Sequence, residues 1–140
     1  MRTLLLDANS IMLVVRAGRS FEGGGDTRFA TVGIAAYELG NAVWKDLHLF
    51  KRVTRDEAHV LLTVFHEMLL RLRVEPQLSL GERLEVLENA GRHGISYCDS
   101  SYLTAAIRLG ATLVTEDGGL TRVAEACGVP TSSASGILVG

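Results

Sequence analysis

Lysine, proline and cysteine are scarce in this chain, and long apolar runs are absent. Only Lys45 and Lys51 among its 14 basic residues are lysines, and its 140 residues include 2 prolines and 2 cysteines. No stretch approaches the roughly 18 apolar residues of a membrane-spanning helix, so we expect no contact with a membrane. The net charge of -2 also argues against a general nucleic-acid-binding protein, because such domains are usually basic.

The cysteines exclude a further class of site. Cys98 and Cys127 are too far apart to form a CxxC pair or a zinc ribbon. The apolar stretch Leu4–Leu6 is interrupted at once by Asp7, so it does not resemble a signal peptide. We therefore expect a cytoplasmic protein with reduced, structural cysteines. The preference for arginine suits phosphate binding, but codon bias or heat adaptation explains it equally well.

What the chain does contain is an alternation of strand and helix patterns. With 47% hydrophobic residues, it is suited to one compact domain over residues 1–140. The predicted strands are residues 2–7, 29–34, 72–75, 111–115 and 129–131. The predicted helices are residues 10–16, 35–50, 54–70, 79–90, 96–109 and 118–127. This order predicts an α/β fold, a three-layer sandwich in which helices flank a central parallel sheet.

Two capping boxes and one loop complete the local pattern. Thr54-x-x-Glu57 and Ser79-x-x-Glu82 each predict the start of a helix. Residues 17–27 are polar and rich in glycine, without a pattern that would build core, so we expect a mobile loop there.

Four acidic residues stand where a strand pattern gives way to a helix pattern. They are Asp7, Glu38, Asp99 and Asp117. In a parallel sheet such positions meet at the carboxyl edge, where these folds bind ligands. Four carboxylates gathered there repel one another unless a hard cation such as Mg²⁺ or Mn²⁺ holds them together. The pattern therefore indicates a metal-dependent enzyme that acts on phosphate esters.

Each carboxylate also has a purely structural explanation. Asp7 and Asp117 could cap the helices that follow them, and Asp99 could complete a capping box with Ser96. Glu38 could be a solvated partner of Lys45. The apolar surroundings of Asp7 and Glu38 favour the joint site, because burying a lone carboxylate costs several kcal/mol.

Two neutral polar residues stand beside the proposed ligands. Asn9 follows Asp7 by two residues, and Thr115 precedes Asp117 by two. Both could orient carboxylates or hold a metal-bound water. Asn9 as a helix cap and Thr115 as an ordinary strand residue remain the alternatives.

Several other partial motifs each lack a residue that the corresponding site requires. His66-Glu67 begins a zinc-protease helix, but Leu70 replaces the second histidine. Gly23-Gly24-Gly25 lacks the lysine of a phosphate-binding loop. A receiver domain needs a lysine late in the chain, and none follows Lys51. A DxD phosphatase needs an acid where Asn9 stands.

Four motifs in order give the chain a family resemblance over nearly its whole length. They are Leu5-Leu6-Asp7-Ala8-Asn9, Tyr37-Glu38-Leu39-Gly40-Asn41-Ala42, Tyr97-Cys98-Asp99-Ser100-Ser101-Tyr102-Leu103-Thr104-Ala105-Ala106, and Ala111-Thr112-Leu113-Val114-Thr115-Glu116-Asp117-Gly118-Gly119-Leu120. With them the chain resembles PIN-domain ribonucleases, especially the small VapC-type toxins of prokaryotic toxin–antitoxin pairs.

The resemblance implies a PIN-like nuclease domain that cleaves single-stranded or structured RNA with Mg²⁺ or Mn²⁺. It implies an acidic site of Asp7, Glu38, Asp99 and Asp117, supported by Asn9 and Thr115. We take Asp7 and Asp99 as the direct metal ligands. Many relatives carry a further acid just after the position of Asp117, whereas glycines follow here and Glu116 precedes. One metal ion or two, and a role for Glu116, stay open.

The implied partners are an RNA substrate, a cognate antitoxin protein and a second copy of the chain. The homodimer is also indicated by leucines in excess of one core stripe, including Leu70, Leu80, Leu84 and Leu87, although these could instead cover the sheet. Two other functions remain open: a catalytically inactive PIN module that binds RNA or protein, and a housekeeping RNA-processing nuclease.

Overall fold

The computed structural model describes residues 1–21, 25–76 and 79–139, with the side chains of residues 138 and 139 left out. Its strands are β1 (Arg2–Leu6), β2 (Thr27–Val32), β3 (Arg73–Glu75), β4 (Thr112–Val114) and β5 (Thr131–Ser132). Its helices are α1 (Ala8–Arg16), α2 (Ile34–Trp44), α3 (Arg55–Leu70), α4 (Leu80–His93), α5 (Tyr97–Leu109), α6 (Gly118–Ala126) and α7 (Ala134–Val139), with a π-helical segment at Lys45–Leu49 after α2.

The five strands form one parallel sheet in the order β3-β2-β1-β4-β5. Helices flank this sheet, so the predicted α/β sandwich with a central parallel sheet is confirmed. Each described helix is too short or too polar to cross a membrane.

The central strand β1 lies in the hydrophobic core of the protein. It pairs with β2 on one side and β4 on the other, and Leu4, Leu5 and Leu6 are buried. A strand covered by helices on both faces carries an unbroken apolar run rather than an alternating one, as β1 does. The residue after such a strand emerges at the carboxyl edge of the sheet, which places Asp7 there.

The helix ends follow their predicted signals. Thr54 and Glu57 form both bonds of a capping box, at 3.1 Å and 3.0 Å. Ser79 accepts a hydrogen bond from the backbone N–H of Glu82, and α4 extends to His93, past its predicted end. Gly110 ends α5 with a φ of 61°, a left-handed conformation that glycine adopts without strain.

Three local features differ from the sequence expectations. The helix predicted for residues 35–50 changes at Lys45 into a π-helical turn, in which the N–H of Phe50 donates to the carbonyl of Lys45. Phe21, in the first half of the predicted loop, is buried against Phe29 and so contributes to the core, contrary to expectation; residues 22–24 of that loop lie outside the described residues, so its mobility stays a prediction. Helix α7 was not predicted at all, and Glu116 Oε1 accepts a 2.7 Å hydrogen bond from its first N–H, that of Ala134.

Candidate active site

Asp7 is held at the carboxyl edge of β1 by two donors. Its side chain caps α1, because Oδ1 accepts a 2.9 Å hydrogen bond from the N–H of Ser10. The hydroxyl of Thr115 donates to Oδ2 at 2.6 Å. Only 9% of Asp7 is exposed, so these two bonds offset part of the cost of burying its carboxylate.

Thr115 joins Asp7 to Asp117. Its hydroxyl oxygen accepts a 3.1 Å hydrogen bond from the N–H of Asp117 while its proton goes to Asp7. Asp117 in turn caps α6, accepting from the N–H of Leu120 at 3.0 Å. One buried hydroxyl therefore fixes the spacing of two acids that lie 110 positions apart in the sequence.

Glu38 reaches the site from the second turn of α2. It is half-buried, and its Oε1 accepts a 2.6 Å hydrogen bond from the hydroxyl of Tyr102 in α5. Burial and then this bond to Glu38 raise the pKa of Tyr102 far above its usual value. Tyr102 therefore keeps its proton at neutral pH and donates it to Glu38.

Asp99 lies in the first turn of α5. Its N–H donates to Ser96 Oγ at 3.0 Å, as expected for a helix start capped by Ser96. Burial and the nearby charge of Asp117 raise the pKa of Asp99; the bond from Ser96 opposes this shift, and the charge of Asp7 adds to it. The pKa of the neighbouring Cys98 thiol is raised as well, by burial and then by the charges of Glu38 and Asp99, so this thiol stays protonated.

These side chains line a single cleft of about 380 Å³. The residues around it are Asp7, Ala8, Asn9, Glu38, Asp99, Tyr102, Glu116 and Asp117. None of these described lining residues is basic. All four predicted acids and Asn9 are thus brought together, and Thr115 lies directly beneath them.

The structural explanations of the acids also hold, because Asp7 and Asp117 do cap helices. A cap uses one oxygen of a carboxylate and leaves lone pairs free, so both roles are compatible. Tyr102 is the residue that sequence reasoning missed. It lies three positions after Asp99, on the same side of the helix, and that spacing was the available signal.

The donor set suits a hard cation, since it consists of carboxylate oxygens, and burial together with the charges of Asp117 and Asp7 raises the pKa of Asp99. No group of three or more His, Cys, Asp or Glu side chains in the described residues is close enough to hold a metal ion as it stands. A small cation such as Mg²⁺ retains several waters and needs only one or two carboxylates. Asp7 and Asp99, the predicted ligands, both line the cleft, and their role as a metal-binding pair stays a prediction.

Comparison with known proteins places the fold. No family model matches the chain, and no curated protein matches it in sequence. Among solved structures, PAE2754 from Pyrobaculum aerophilum is similar with a TM-score of 0.76 and 22% identity, covering 99% of this chain and 95% of that one.

Two further similar structures are named as VapBC proteins. VapBC2 from Rickettsia felis, bound to a DNA fragment from its promoter, has a TM-score of 0.62 and 18% identity, covering 94% of this chain and 98% of that one. VapBC-1 from nontypeable Haemophilus influenzae has a TM-score of 0.65 and 14% identity, covering 95% and 98%. The chain therefore has a PIN-like fold of the kind found in these VapBC structures, and the resemblance drawn from its motifs is confirmed at the level of the fold.

Proposed function

We propose that residues 1–140 form a single metal-dependent endoribonuclease domain, which hydrolyses phosphodiester bonds of RNA as the toxin of a toxin–antitoxin pair. One observation carries the proposal. Asp7, Glu38, Asp99 and Asp117 converge on one cleft that no described basic residue lines. Such a cleft repels a phosphate by itself and binds one only with a cation present.

Each part of the site has a defined task in this proposal. A bound Mg²⁺ or Mn²⁺ would polarise the scissile phosphate and lower the pKa of a water molecule. Asp7 and Asp99 hold the cation, while Glu38 and Asp117 bind waters or complete the shell. Thr115 and Tyr102 fix the directions of Asp7 and Glu38, so little rearrangement is needed when the cation and RNA bind.

The partners follow from the similar structures and from the surface. Because two of those structures are named as VapBC proteins, we propose a cognate antitoxin as the protein partner and the cytoplasm as the location. We also propose a homodimer. Leu80, Leu84 and Leu87 are 73%, 51% and 56% exposed along one side of α4, so they do not cover the sheet, and an isologous interface would bury them.

Cleavage of labelled single-stranded RNA tests the enzymatic proposal. We expect cleavage with Mg²⁺ or Mn²⁺, loss of cleavage in excess EDTA, recovery when metal is restored, and an inactive Asp99→Asn variant. Cleavage undiminished in EDTA, by a preparation whose Asp99→Asn variant is inactive, would rule out the metal. RNA binding without cleavage in either metal would instead favour the inactive PIN module.

The toxin role and the dimer need separate tests. A small upstream reading frame with a DNA-binding amino end would support a toxin, and its absence would favour a housekeeping nuclease. Light scattering at micromolar concentration addresses the dimer. A mass near the 15.1 kDa of one chain, unchanged on concentration, would refute it, and Leu84→Glu should convert a dimer to that mass.

A further inference from the structure

A second pocket opens at the carboxyl edge of the sheet, beyond β2 and β3. It encloses about 400 Å³. Its floor includes Val32 and Glu75, the last residues of these two strands. The walls come from α2 and α5, which contribute Tyr37 and Tyr97. We refer to it as the aromatic pocket; its lining is Val32, Gly33, Ile34, Tyr37, Glu75, Pro76, Arg83, Tyr97, Ser101 and Ala105.

The two tyrosines in this pocket are open to solvent. Tyr37 is 79% exposed and Tyr97 is 44% exposed, so neither ring is used by the core of the chain. Exposed aromatic rings around a concave pocket offer flat apolar surface to a flat ligand. Arg83, exposed in α4, adds positive charge that the carboxylate cleft does not have.

The pocket also contains a carboxylate acceptor. The side chain of Glu75 is 11% exposed, and Arg73 Nε lies 2.9 Å from its Oε1. That approach is an ion pair but lacks the direction of a hydrogen bond; within the described structure Oε1 accepts none and is shielded from solvent, which leaves the other oxygen of this carboxylate as the acceptor. A pocket that combines stacking surface, a cation and an acceptor suits a heterocyclic base better than an aliphatic chain.

The aromatic pocket is adjacent to the carboxylate cleft. Tyr37 directly precedes Glu38, and Tyr97 lies two residues before Asp99, so each helix contributes to both sites. A third hollow of about 380 Å³ connects them, since it shares Tyr37 with the pocket and Asn9 and Glu38 with the cleft. Lys45 also lines this hollow and adds a positive charge to it.

We propose that the aromatic pocket binds an unpaired base of the RNA strand whose scissile phosphate lies in the carboxylate cleft. This inference rests on the proposed nuclease function and adds a selection for single-stranded RNA. A base inside a duplex is already stacked and paired, so only an unpaired base can enter between Tyr37 and Tyr97. The backbone between base and cleft would pass the hollow that Lys45 lines.

Fluorescence of a short single-stranded RNA carrying one 2-aminopurine tests the pocket apart from cleavage. With the full chain in Ca²⁺, a hard cation that takes oxygen ligands and offsets the charge of the carboxylate cleft, we expect stacking to quench the probe. Tyr37→Leu and Tyr97→Leu should each weaken binding about tenfold or more, the scale of one lost base–aromatic stack. Tyr97→Phe should bind as the parent does, because it keeps the ring. Phe50→Leu, which removes an exposed ring outside the pocket, is the matched control.

The outcomes separate this inference from the proposed function. Weakened binding in both leucine variants supports the pocket, whether or not the parent cleaves RNA in Mg²⁺. Parent-like binding in both leucine variants overturns the pocket even if the parent is an active nuclease. An equal loss of binding in Phe50→Leu also overturns the pocket. So does a Tyr37→Leu variant that changes from dimer to monomer and still binds RNA, because the ring would then belong to a protein interface.

Discussion

The hydroxyl of Tyr102 in α5 donates a 2.6 Å hydrogen bond to Glu38 Oε1 in α2. The two residues are 64 positions apart, so this bond ties two helices together at the cleft. A carboxylate that accepts a hydrogen bond from a buried neutral donor is held in one orientation. Its other oxygen remains available to a water molecule or a cation.

Tyr102→Phe should therefore reduce activity without unfolding the protein. The change removes only the hydroxyl, and we expect a stability loss of about 1.5–3 kcal/mol, the scale of a hydrogen bond to a charged acceptor. RNA cleavage and urea denaturation of the same preparations measure both effects. Tyr97→Phe, which loses the same atom from the same helix, is the matched control, and an equal loss of activity there would contradict a specific role for Tyr102.

Asp99→Asn should be inactive, yet in EDTA at pH 7 its thermal midpoint should equal or exceed that of the parent. Burial and the charges of Asp117 and Asp7 raise the pKa of Asp99. A carboxyl with a raised pKa contributes its stability below its unfolded pKa of about 3.9 and loses it as the pH rises through the folded value. The advantage of the variant should thus shrink as the pH falls towards about 4. A clear drop in midpoint at pH 7 would show that Asp99 is mainly a structural element of the helix start.

Gly119→Ala should impair activity, whereas Gly118→Ala should not. A Cβ at position 119 would lie 3.2 Å from Asp117 Oδ1, so the carboxylate would have to move by a few tenths of an ångström. At position 118 the nearest atom is Arg122 Nη1, at 3.6 Å, an ordinary contact. Both variants exchange glycine for a better helix former and should keep or raise stability. RNA cleavage measures the activity of the two variants, and thermal melts measure their stability. Equal cleavage by Gly119→Ala and Gly118→Ala would show that the position of Asp117 is not critical.

Thr115→Val should lower both stability and activity. It removes the donor to Asp7 and the acceptor for the N–H of Asp117, leaving buried groups unpaired at a cost of about 1–3 kcal/mol. Thr31→Val is the control, because Thr31 is also buried but donates to the carbonyl of Leu6 rather than to an acid. It should lose stability and keep activity. If both variants lose activity equally, general loosening of the sheet edge explains the effect.

The positions of the acids were predictable because strand ends can be recognised from the sequence alone. An apolar run followed by Asp7, or by Thr115 to Asp117, marks a strand that ends at the ligand-binding edge. The contacts of the side chains were not predictable in the same way. Tyr102 lies among apolar helix residues, so its pattern indicates core, and only the tertiary structure places its hydroxyl on Glu38.

The features that the sequence analysis did not predict depend on tertiary contacts or on very short segments. Helix α7 has only six residues and includes Ser135, Gly136, Ile137 and Val139, which have weaker helix preference than alanine; the bond from Ala134 to Glu116, 18 positions away, holds its start. Phe21 lies in a polar loop and is buried because Phe29 is beside it. The π-helical segment after Trp44 has only five residues, about one turn, so it is too short for a separate period to show in the sequence.

The side-chain bonds that join the chain just after β1 to the end of β4 also determine when the cleft can form during synthesis. Ser10 Oγ donates to the carbonyl of Val114, and Thr115 donates to Asp7, across 104 and 108 positions respectively. A growing chain on the ribosome therefore carries Asp7 and Glu38 long before the residues that complete the cleft have been made. For the nuclease proposed above, the order of translation itself would keep an unfinished chain harmless to the messenger and ribosomal RNA around it.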